Sequence, residues 1–282
     1  MSGRRFKKNG VAMSCALLLV GCGKMGGALL EGWLKSDAVE RVVVVEPGSL
    51  STCAERSRLL HCQTASAVPS RFQPDVVVFA VKPQVMGCVL PDYQRYVRLE
   101  TVFLSIAAGR TLDWMRGQLG VPESRWVRAM PNTPAAVGRG MTVAIAGEGV
   151  SETQIEQCES LLRAVGDVAW LTQEALIDPC TAVSGSGPAY VFLLIEALAQ
   201  AGVRAGLPED LAMRLARATV AGAGELVYRS IESASQLRYN VTSPGGTTQA
   251  ALSVLMAKDG LQPLFDQAVA AAAIRSCELA KL

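Results

Sequence analysis

The sequence predicts an α/β domain built on a parallel sheet, followed by an all-α domain. Up to about Trp170, short and fully apolar runs alternate with helical segments. This alternation is typical of parallel strands covered by helices. After Trp170 the β-branched runs disappear, and alanine- and leucine-rich helical patterns continue to Leu282. We therefore expect the α/β domain over residues 16–170 and the helical domain over residues 171–282.

Residues 1–15 are predicted to form a basic, disordered tail that contains a second candidate start at Met13. The apolar run Ala16–Val20 ends at a glycine and is too short for the hydrophobic region of a signal peptide. The longest apolar helix, around Ala189–Ala201, is interrupted by Glu196 and is expected to fall short of a membrane span. No membrane partner is therefore expected.

The composition argues against several classes of protein. Charged residues make up 18% of the chain and the net charge is +2, so charge gives no reason to expect a nucleic-acid partner. The eight cysteines show no C-x-x-C spacing, which argues against a zinc site and favours a reducing, cytoplasmic compartment. His61 is the only histidine, so a histidine triad or a multi-histidine metal site is excluded. No metal is expected.

The first strand-to-helix turn carries a glycine fingerprint. The apolar run Ala16–Val20 leads into G-x-G-x-x-G and then into an amphipathic helix that ends near Lys35. This is the context that a dinucleotide-binding, Rossmann-type domain requires, although a glycine-rich turn without a ligand is the alternative. The first glycine makes the tight turn, the second lets a pyrophosphate approach, and the third allows close helix packing. The predicted cofactor-binding residues here are Gly21, Cys22, Gly23, Lys24, Met25 and Gly26.

The second apolar run, Arg41–Val45, ends at Glu46, about twenty residues after the last fingerprint glycine. An acidic residue at this place would accept a hydrogen bond from the adenosine ribose and would repel a 2′-phosphate. Glu46 therefore favours NADH, and the choice between NADPH and NADH stays open. The nearest arginines, Arg56 and Arg58, are expected inside the next helix.

Four further strands are predicted at Asp75–Val81, Thr101–Ser105, Arg125–Met130 and Met141–Ala146. Open α/β sheets bind ligands at the carboxyl ends of their strands, so the residues there are cofactor candidates. Lys82 is equally well explained as a solvated surface lysine. The candidates at these strand ends are Ala80, Val81, Lys82, Pro83, Ala107 and Asn132.

The helical domain is predicted to contain helices at Ala189–Ala205, Glu209–Arg229, Thr248–Met256 and Leu261–Lys281. Their faces carry many alanines and few polar residues. So much small apolar surface favours packing against a second copy of the chain, and a self-contained bundle is the alternative.

A proline–glycine turn precedes the third of these helices. Pro244 restricts Ser243 to an extended conformation, and two glycines follow before the helix begins. A helix start with unpaired N–H groups attracts a small anion, although a simply capped helix is the alternative. The anion-binding candidates are Thr242, Ser243, Gly246, Thr247 and Thr248.

Five motifs, in this order and at similar spacing, resemble those of the pyrroline-5-carboxylate reductase family. They are Gly21–Gly26, Ala80–Gln84, Met130–Pro134, Ser184–Tyr190 and Val241–Thr248. The resemblance runs from about Ala16 to the C-terminus. It implies a Rossmann domain followed by a helical dimerisation domain, with dimers that assemble into decamers in several members. It also implies reduction of the cyclic imine Δ1-pyrroline-5-carboxylate to L-proline with NADPH or NADH, the last step of proline biosynthesis.

The resemblance also assigns roles to individual residues. It implies that the turn binds the substrate carboxylate and that the catalytic Thr248 hydroxyl hydrogen-bonds the ring nitrogen. Glu174 is implied to bind substrate, and Asn240 to line the substrate–cofactor region. The chain departs from the family pattern at Glu232-Ser233-Ala234 and at Tyr239.

Two other functions are compatible with a fold of this kind. A non-enzymatic NAD(P)-binding sensor or scaffold would keep the fold without turnover, and the intact turn before Thr248 argues against it. A two-domain hydroxy-acid dehydrogenase needs a lysine or histidine acid/base on the first interdomain helix. Residues 171–205 contain neither. Fold alone could not separate these functions.

Overall fold

The computed structural model describes residues 15–36, 38–50 and 57–280. The chain forms two compact units: Met1–Gly185 with Ile274–Leu282, here called the α/β unit, and Ser186–Ala273, here called the helical unit. The predicted tail and the candidate start at Met13 lie outside the described residues, except for Cys15, which is the first residue of a strand.

A single eight-stranded sheet forms the centre of the α/β unit, with strand order β3-β2-β1-β4-β5-β6-β7-β8. The predicted α/β fold built on a parallel sheet is confirmed, apart from one pair of strands. The strands are β1 Cys15–Val20, β2 Val39–Val45, β3 Leu59–Cys62, β4 Val76–Phe79, β5 Val102–Ser105, β6 Arg125–Pro131, β7 Gly140–Ala146 and β8 Gly166–Trp170.

The prediction of a parallel sheet was wrong at one pair of strands, because β6 and β7 run antiparallel. Only a short 3₁₀ segment, Thr133–Val137, connects these two strands. A parallel pair needs a longer crossover, usually through a helix. β7 therefore turns back beside β6, and its other neighbour, β8, is parallel to it.

Two strands, β3 and β8, were not predicted from the sequence. β3 lies at the edge of the sheet and β8 at the opposite edge, and each has an only partly apolar sequence. The prediction that Arg58 lies in a helix was wrong, because it lies directly before β3. Arg56 lies outside the described residues.

Helices cover the two faces of the sheet. They are α1 Lys24–Lys35, α2 Pro83–Val89, α3 Leu112–Leu119, α4 Glu152–Arg163 and α5 Ile177–Cys180. The core on one face includes Trp33, whose indole N–H donates to the Leu161 carbonyl at 2.8 Å. The core on the other face includes Phe79 stacked on Trp126. Burial on both faces explains why the central strands read as continuous apolar runs.

The helical unit contains α6 Gly187–Arg204, α7 Glu209–Arg229, α8 Ala234–Asn240, α9 Thr247–Leu255 and most of α10 Leu261–Leu279. The prediction of an all-α region is confirmed, and the predicted helix ends lie close to the observed ones. α8 was not predicted. It begins at a Ser233 cap whose side chain accepts from the Gln236 N–H.

The helical unit exposes much apolar surface. Phe192, Leu193 and Leu226 are each more than half exposed.

The expectation that the longest apolar helix falls short of a membrane span was wrong. One continuous helical stretch runs over 31 residues, Glu174–Arg204, with a mean hydropathy of 1.4 in its most apolar window. By length and composition alone this stretch could cross a membrane. It is the one such stretch among the described residues, and a single one is weak evidence, since soluble proteins contain similar helices.

Candidate active site

The fingerprint glycines pack the first turn against the end of β4. Gly21 has a φ of +86°, and a Cβ there would lie 2.8 Å from the Val81 side chain. A Cβ on Gly26 would lie 2.6 Å from the Gly21 carbonyl oxygen. Both positions therefore require glycine, the first for its conformation as well as for space.

Gly23 is glycine for a different reason. A Cβ at this position would meet no atom within 4 Å, so the space in front of it is open. Gly23 caps the start of α1 without a side-chain hydrogen bond. Within the described part of the chain, the N–H groups of Lys24, Met25 and Gly26 find no acceptor. An open space with free N–H donors at a helix start fits a pyrophosphate.

Glu46 lies beside this glycine turn and is held there by the backbone. One carboxylate oxygen accepts from the Cys22 N–H at 2.7 Å, and the other accepts from the Gly48 N–H at 3.2 Å. The His61 ring nitrogen contacts the Glu46 carbonyl oxygen at 2.8 Å. The structure therefore brings Glu46 and the glycine turn together, as the fingerprint predicts.

The Arg58 guanidinium binds the backbone after α1. It donates to the Leu34 carbonyl at 2.6 Å and to the Val39 carbonyl at 3.0 Å. These bonds satisfy carbonyl groups at the end of α1 and the start of β2. Arg58 is therefore engaged away from the ligand-binding edge at the carboxyl ends of the strands.

Further strand-end candidates follow β4, which pairs with β1, and β5, which pairs with β4. Lys82 is exposed and caps α2, which begins at Pro83. Ala107 is buried, and its N–H donates to the Ser105 hydroxyl at 3.2 Å. Ala80 and Val81 are half-buried beside the glycine turn. These residues share one edge of the sheet with the fingerprint.

Asn132 joins three segments of the α/β unit. Its amide nitrogen donates to the Ser184 carbonyl at 2.9 Å, and its amide oxygen accepts from the Met141 N–H at 2.8 Å. Ser184 belongs to a π-helical turn, Thr181–Gly185. Such turns are frequent at functional sites. The Asn132 side chain therefore holds the end of β6, the start of β7 and this turn in one arrangement.

Glu174 is engaged by a residue that the sequence reasoning missed. One of its carboxylate oxygens accepts from the Arg128 guanidinium at 2.7 Å and from the Leu112 N–H at 2.9 Å. Arg128 lies in β6 and is 4% exposed. An arginine within an apolar strand was the available signal, since a buried cation needs an acidic partner. Glu174 lies in the α/β unit, apart in the chain from the other substrate-binding candidates.

The proline–glycine turn of the helical unit presents unpaired N–H donors. The Thr242 hydroxyl donates to the Arg238 carbonyl at 2.7 Å, and the Gly246 N–H closes the turn onto the Ser243 carbonyl at 3.1 Å. α9 then begins at Thr247 with no side-chain cap. The N–H groups of Thr247, Thr248 and Gln249 have no acceptor among the described residues. The turn can therefore bind an anion.

Asn240 lies at the end of α8 in the helical unit and is exposed. Its amide oxygen accepts from Gln236 at 2.7 Å, and its amide nitrogen donates to the Glu232 carboxylate at 3.3 Å. The other cofactor candidates all lie in the α/β unit.

Known proteins match both parts of the chain. A family model described as pyrroline-5-carboxylate reductase dimerisation matches residues 174–279, and one described as NADP oxidoreductase, coenzyme F420-dependent, matches residues 16–109. A pyrroline-5-carboxylate reductase of Synechocystis sp. is 42% identical over 275 residues, which cover 95% of this chain and 100% of the relative. The chain belongs to the pyrroline-5-carboxylate reductase family.

Solved structures of pyrroline-5-carboxylate reductases support this membership. The enzyme from Coxiella burnetii has a TM-score of 0.87 and 35% identity, with 95% of this chain and 100% of that chain covered. The enzyme from Plasmodium falciparum, solved with NADP bound, has a TM-score of 0.79 and 30% identity, with 96% of this chain and 100% of that chain covered. Similarity to these reductases therefore extends over both units.

Proposed function

We propose that this chain reduces the C=N bond of Δ1-pyrroline-5-carboxylate with NADPH or NADH and so forms L-proline in the last step of proline biosynthesis. The observation that carries the proposal is the complete Ser243–Thr248 turn, whose three free N–H groups suit the carboxylate of a small imino acid. The family membership and the glycine turn of the other unit supply the reductase context.

We propose that the α/β unit binds the nicotinamide nucleotide, which supplies the hydride when bound. The first turn of α1 would hold the pyrophosphate, because its N–H groups are free and Gly23 leaves space. Glu46 would accept from the ribose hydroxyls. The full set proposed to bind cofactor is Gly21, Cys22, Gly23, Lys24, Met25, Gly26, Glu46, Ala80, Val81, Lys82, Pro83, Ala107, Asn132 and Asn240.

The proposed chemistry asks little of acid–base groups, because the imine nitrogen takes up its proton from water before the hydride reaches the neighbouring carbon. The substrate carboxylate would bind at the turn, where the helix start carries a partial positive charge. Thr248 is half-buried in the first turn of α9, and its hydroxyl would hydrogen-bond the ring nitrogen as hydride reaches the neighbouring carbon. Alignment of donor and acceptor can lower the barrier by several kcal/mol. The proposed substrate-binding set is Glu174, Thr242, Ser243, Gly246, Thr247 and Thr248.

We propose that the helical unit forms a homodimer and that dimers assemble further into decamers. The matched family model is named for dimerisation, and it spans the helices whose apolar side chains are exposed in the single chain. A surface of this kind is typical of subunit interfaces. A second copy of the chain, rather than a membrane or a nucleic acid, would then cover it.

We propose a cytoplasmic location and retain residues 16–170 and 171–282 as the domain division. The seven described cysteines form no disulfide with one another, as expected in a reducing compartment. The compact units instead divide after Gly185. Residues 171–185 therefore pack with the sheet while continuing, in the chain, into α6.

An initial-rate assay with purified protein tests the proposed function. We expect oxidation of NADH or NADPH on addition of Δ1-pyrroline-5-carboxylate. Thr248→Val, which keeps the side-chain shape and removes the hydroxyl, should lower kcat by about 100-fold, whereas Thr248→Ser should retain most of the rate. Binding of the nucleotide by the wild type with no turnover would favour the sensor or scaffold function.

A further inference from the structure

The first glycine of the Ser243–Gly246 turn makes a hydrogen bond to a side chain of the helix that follows. Gly245 has a φ of +72°, in the left-handed region that favours glycine. Its N–H donates to the side-chain oxygen of Gln249 at 2.6 Å. The next N–H, that of Gly246, donates to the Ser243 carbonyl within the turn. Both glycine N–H groups are thus used by the protein, and those that begin α9 remain for a ligand.

Gln249 is the third residue of α9, a position from which a side chain can reach back over the helix start. In a capping box, a glutamine or glutamate at this position accepts from the N–H of the cap residue. Here the cap residue is Gly246, which has no side chain, and the Gln249 carboxamide reaches one residue further, to Gly245. Gln249 is therefore the side chain that fixes the turn to the helix.

The Gln249 side chain carries no charge, and this affects the binding of an anion at the start of α9. A helix start stabilises negative side chains, and a glutamate could accept the same hydrogen bond. A carboxylate there would, however, stand next to the free N–H groups and repel a bound anion. The carboxamide closes the turn and leaves the positive potential of the helix start to the ligand.

We infer that Gln249 is a positioning residue for the substrate carboxylate, which fixes the turn through Gly245 and keeps its anion site free of competing charge. The inference rests on the proposed function of this turn. Gln249 acts through the backbone of the turn and takes no part in the reaction itself. Its loss should therefore weaken binding of the imino acid and leave the coenzyme and the chemical step almost unaffected.

Two variants separate the roles of shape and charge. Gln249→Glu keeps the acceptor and adds a charge, so we expect KM for the imino acid to rise about tenfold, with kcat and KM for the coenzyme within about twofold. The increase should shrink in about 1 M salt, because the added charge is screened. Gln249→Met removes the acceptor, and we expect a rise in KM that salt does not reverse.

Gln262→Glu is the matched control. Gln262 is exposed in the first turn of α10 and donates to Asp266 at 2.8 Å, so the same charge change falls on another helix start. We expect unchanged kinetics and, for all three variants, a thermal unfolding midpoint close to that of the wild type. An unchanged KM in both Gln249 variants, with an active wild type, overturns this inference alone. An inactive wild type overturns the proposed function instead.

Discussion

Arg128 and Glu174 form an ion pair at 2.7 Å that connects β6 to the segment leading into α5. The Arg128 side chain is 5% exposed and that of Glu174 is 28% exposed, so most of the pair is shielded from water. The same carboxylate oxygen accepts from the N–H that begins α3. One carboxylate therefore neutralises a buried cation and completes a helix start.

Removal of this carboxylate should destabilise the protein. Glu174→Ala leaves a buried guanidinium unpaired, and we expect a loss of about 2–4 kcal/mol in the free energy of unfolding, measured by urea denaturation. The double variant Arg128→Met with Glu174→Leu should recover most of this loss, because replacement of both charges by apolar groups is often neutral. An equal loss in the single and double variants would contradict this account.

The same residue offers a test of the substrate-binding assignment. If Glu174 contacts the imino acid, Glu174→Gln should raise KM for the imino acid by more than about twofold. If the carboxylate acts only through Arg128 and the start of α3, stability should fall and KM should stay within about twofold. The two protein donors share one carboxylate oxygen, and the KM measurement decides whether the imino acid uses the carboxylate as well.

Much of the fold could be predicted because the sheet is buried on both faces. Its central strands are continuous apolar runs, and their carboxyl ends carry the fingerprint and the other motifs. The edge strands β3 and β8 escaped because they are short and partly exposed. The antiparallel β7 escaped because the direction of a strand depends on the length of its connection, which an apolar run does not reveal.

Glu46 should determine the choice of coenzyme. Its carboxylate is held against the glycine turn, where it would meet a 2′-phosphate, so we expect kcat/KM to be higher with NADH than with NADPH. Glu46→Gln keeps an acceptor for the Cys22 N–H and removes the charge. We expect it to shift the ratio of kcat/KM values towards NADPH by about tenfold, a change of about 1.4 kcal/mol.

Glu40→Gln is the matched control for this experiment. Glu40 is exposed near the other end of β2, and Glu46 follows it six positions later along the extended strand, about 20 Å away. That distance is about twice the Debye length at 0.1 M salt, so its charge should not affect the coenzyme ratio. A wild type that prefers NADPH, with a ratio unaffected by Glu46→Gln, would show that Glu46 has no part in selection.

Asn132 should be required for the arrangement of the π-helical turn. Asn132→Asp replaces the donor to the Ser184 carbonyl by an oxygen, and two acceptors then face each other in a buried place. We expect a loss of about 1–3 kcal/mol in unfolding free energy at pH 7. The loss should be smaller at about pH 5, because a protonated carboxyl can donate to the carbonyl again. If the loss of unfolding free energy were the same at both pH values, the hydrogen bond from Asn132 to Ser184 would not be its cause.

The parts of the site that consist of consecutive residues could be predicted from the sequence. The contacts between residues that are distant in the chain were missed. The fingerprint and the proline–glycine turn each indicate a ligand from consecutive residues. The Glu174 contacts could not be foreseen, because Arg128 is brought to it from another strand. The reach of Gln249 to Gly245 is local, but it depends on the helix beginning at Thr247, and prediction placed that start one residue later.

Stability should fall at alkaline pH because of the buried thiol of Cys15. Burial, followed by the nearby charge of Asp75, raises the pKa of this thiol from 9.0 to about 12. Above pH 9 the unfolded chain therefore releases a proton that the folded chain keeps, and the free energy of unfolding decreases as the pH rises towards 12. One such thiol contributes a slope of about 1.4 kcal/mol per pH unit in this range.

Cys15→Ala should reduce the slope of unfolding free energy between about pH 9 and 10.5 by that amount, whereas the exposed Cys88→Ala should leave it unchanged. Equal slopes for the wild type and Cys15→Ala would mean that the thiol titrates alike in the folded and unfolded chains.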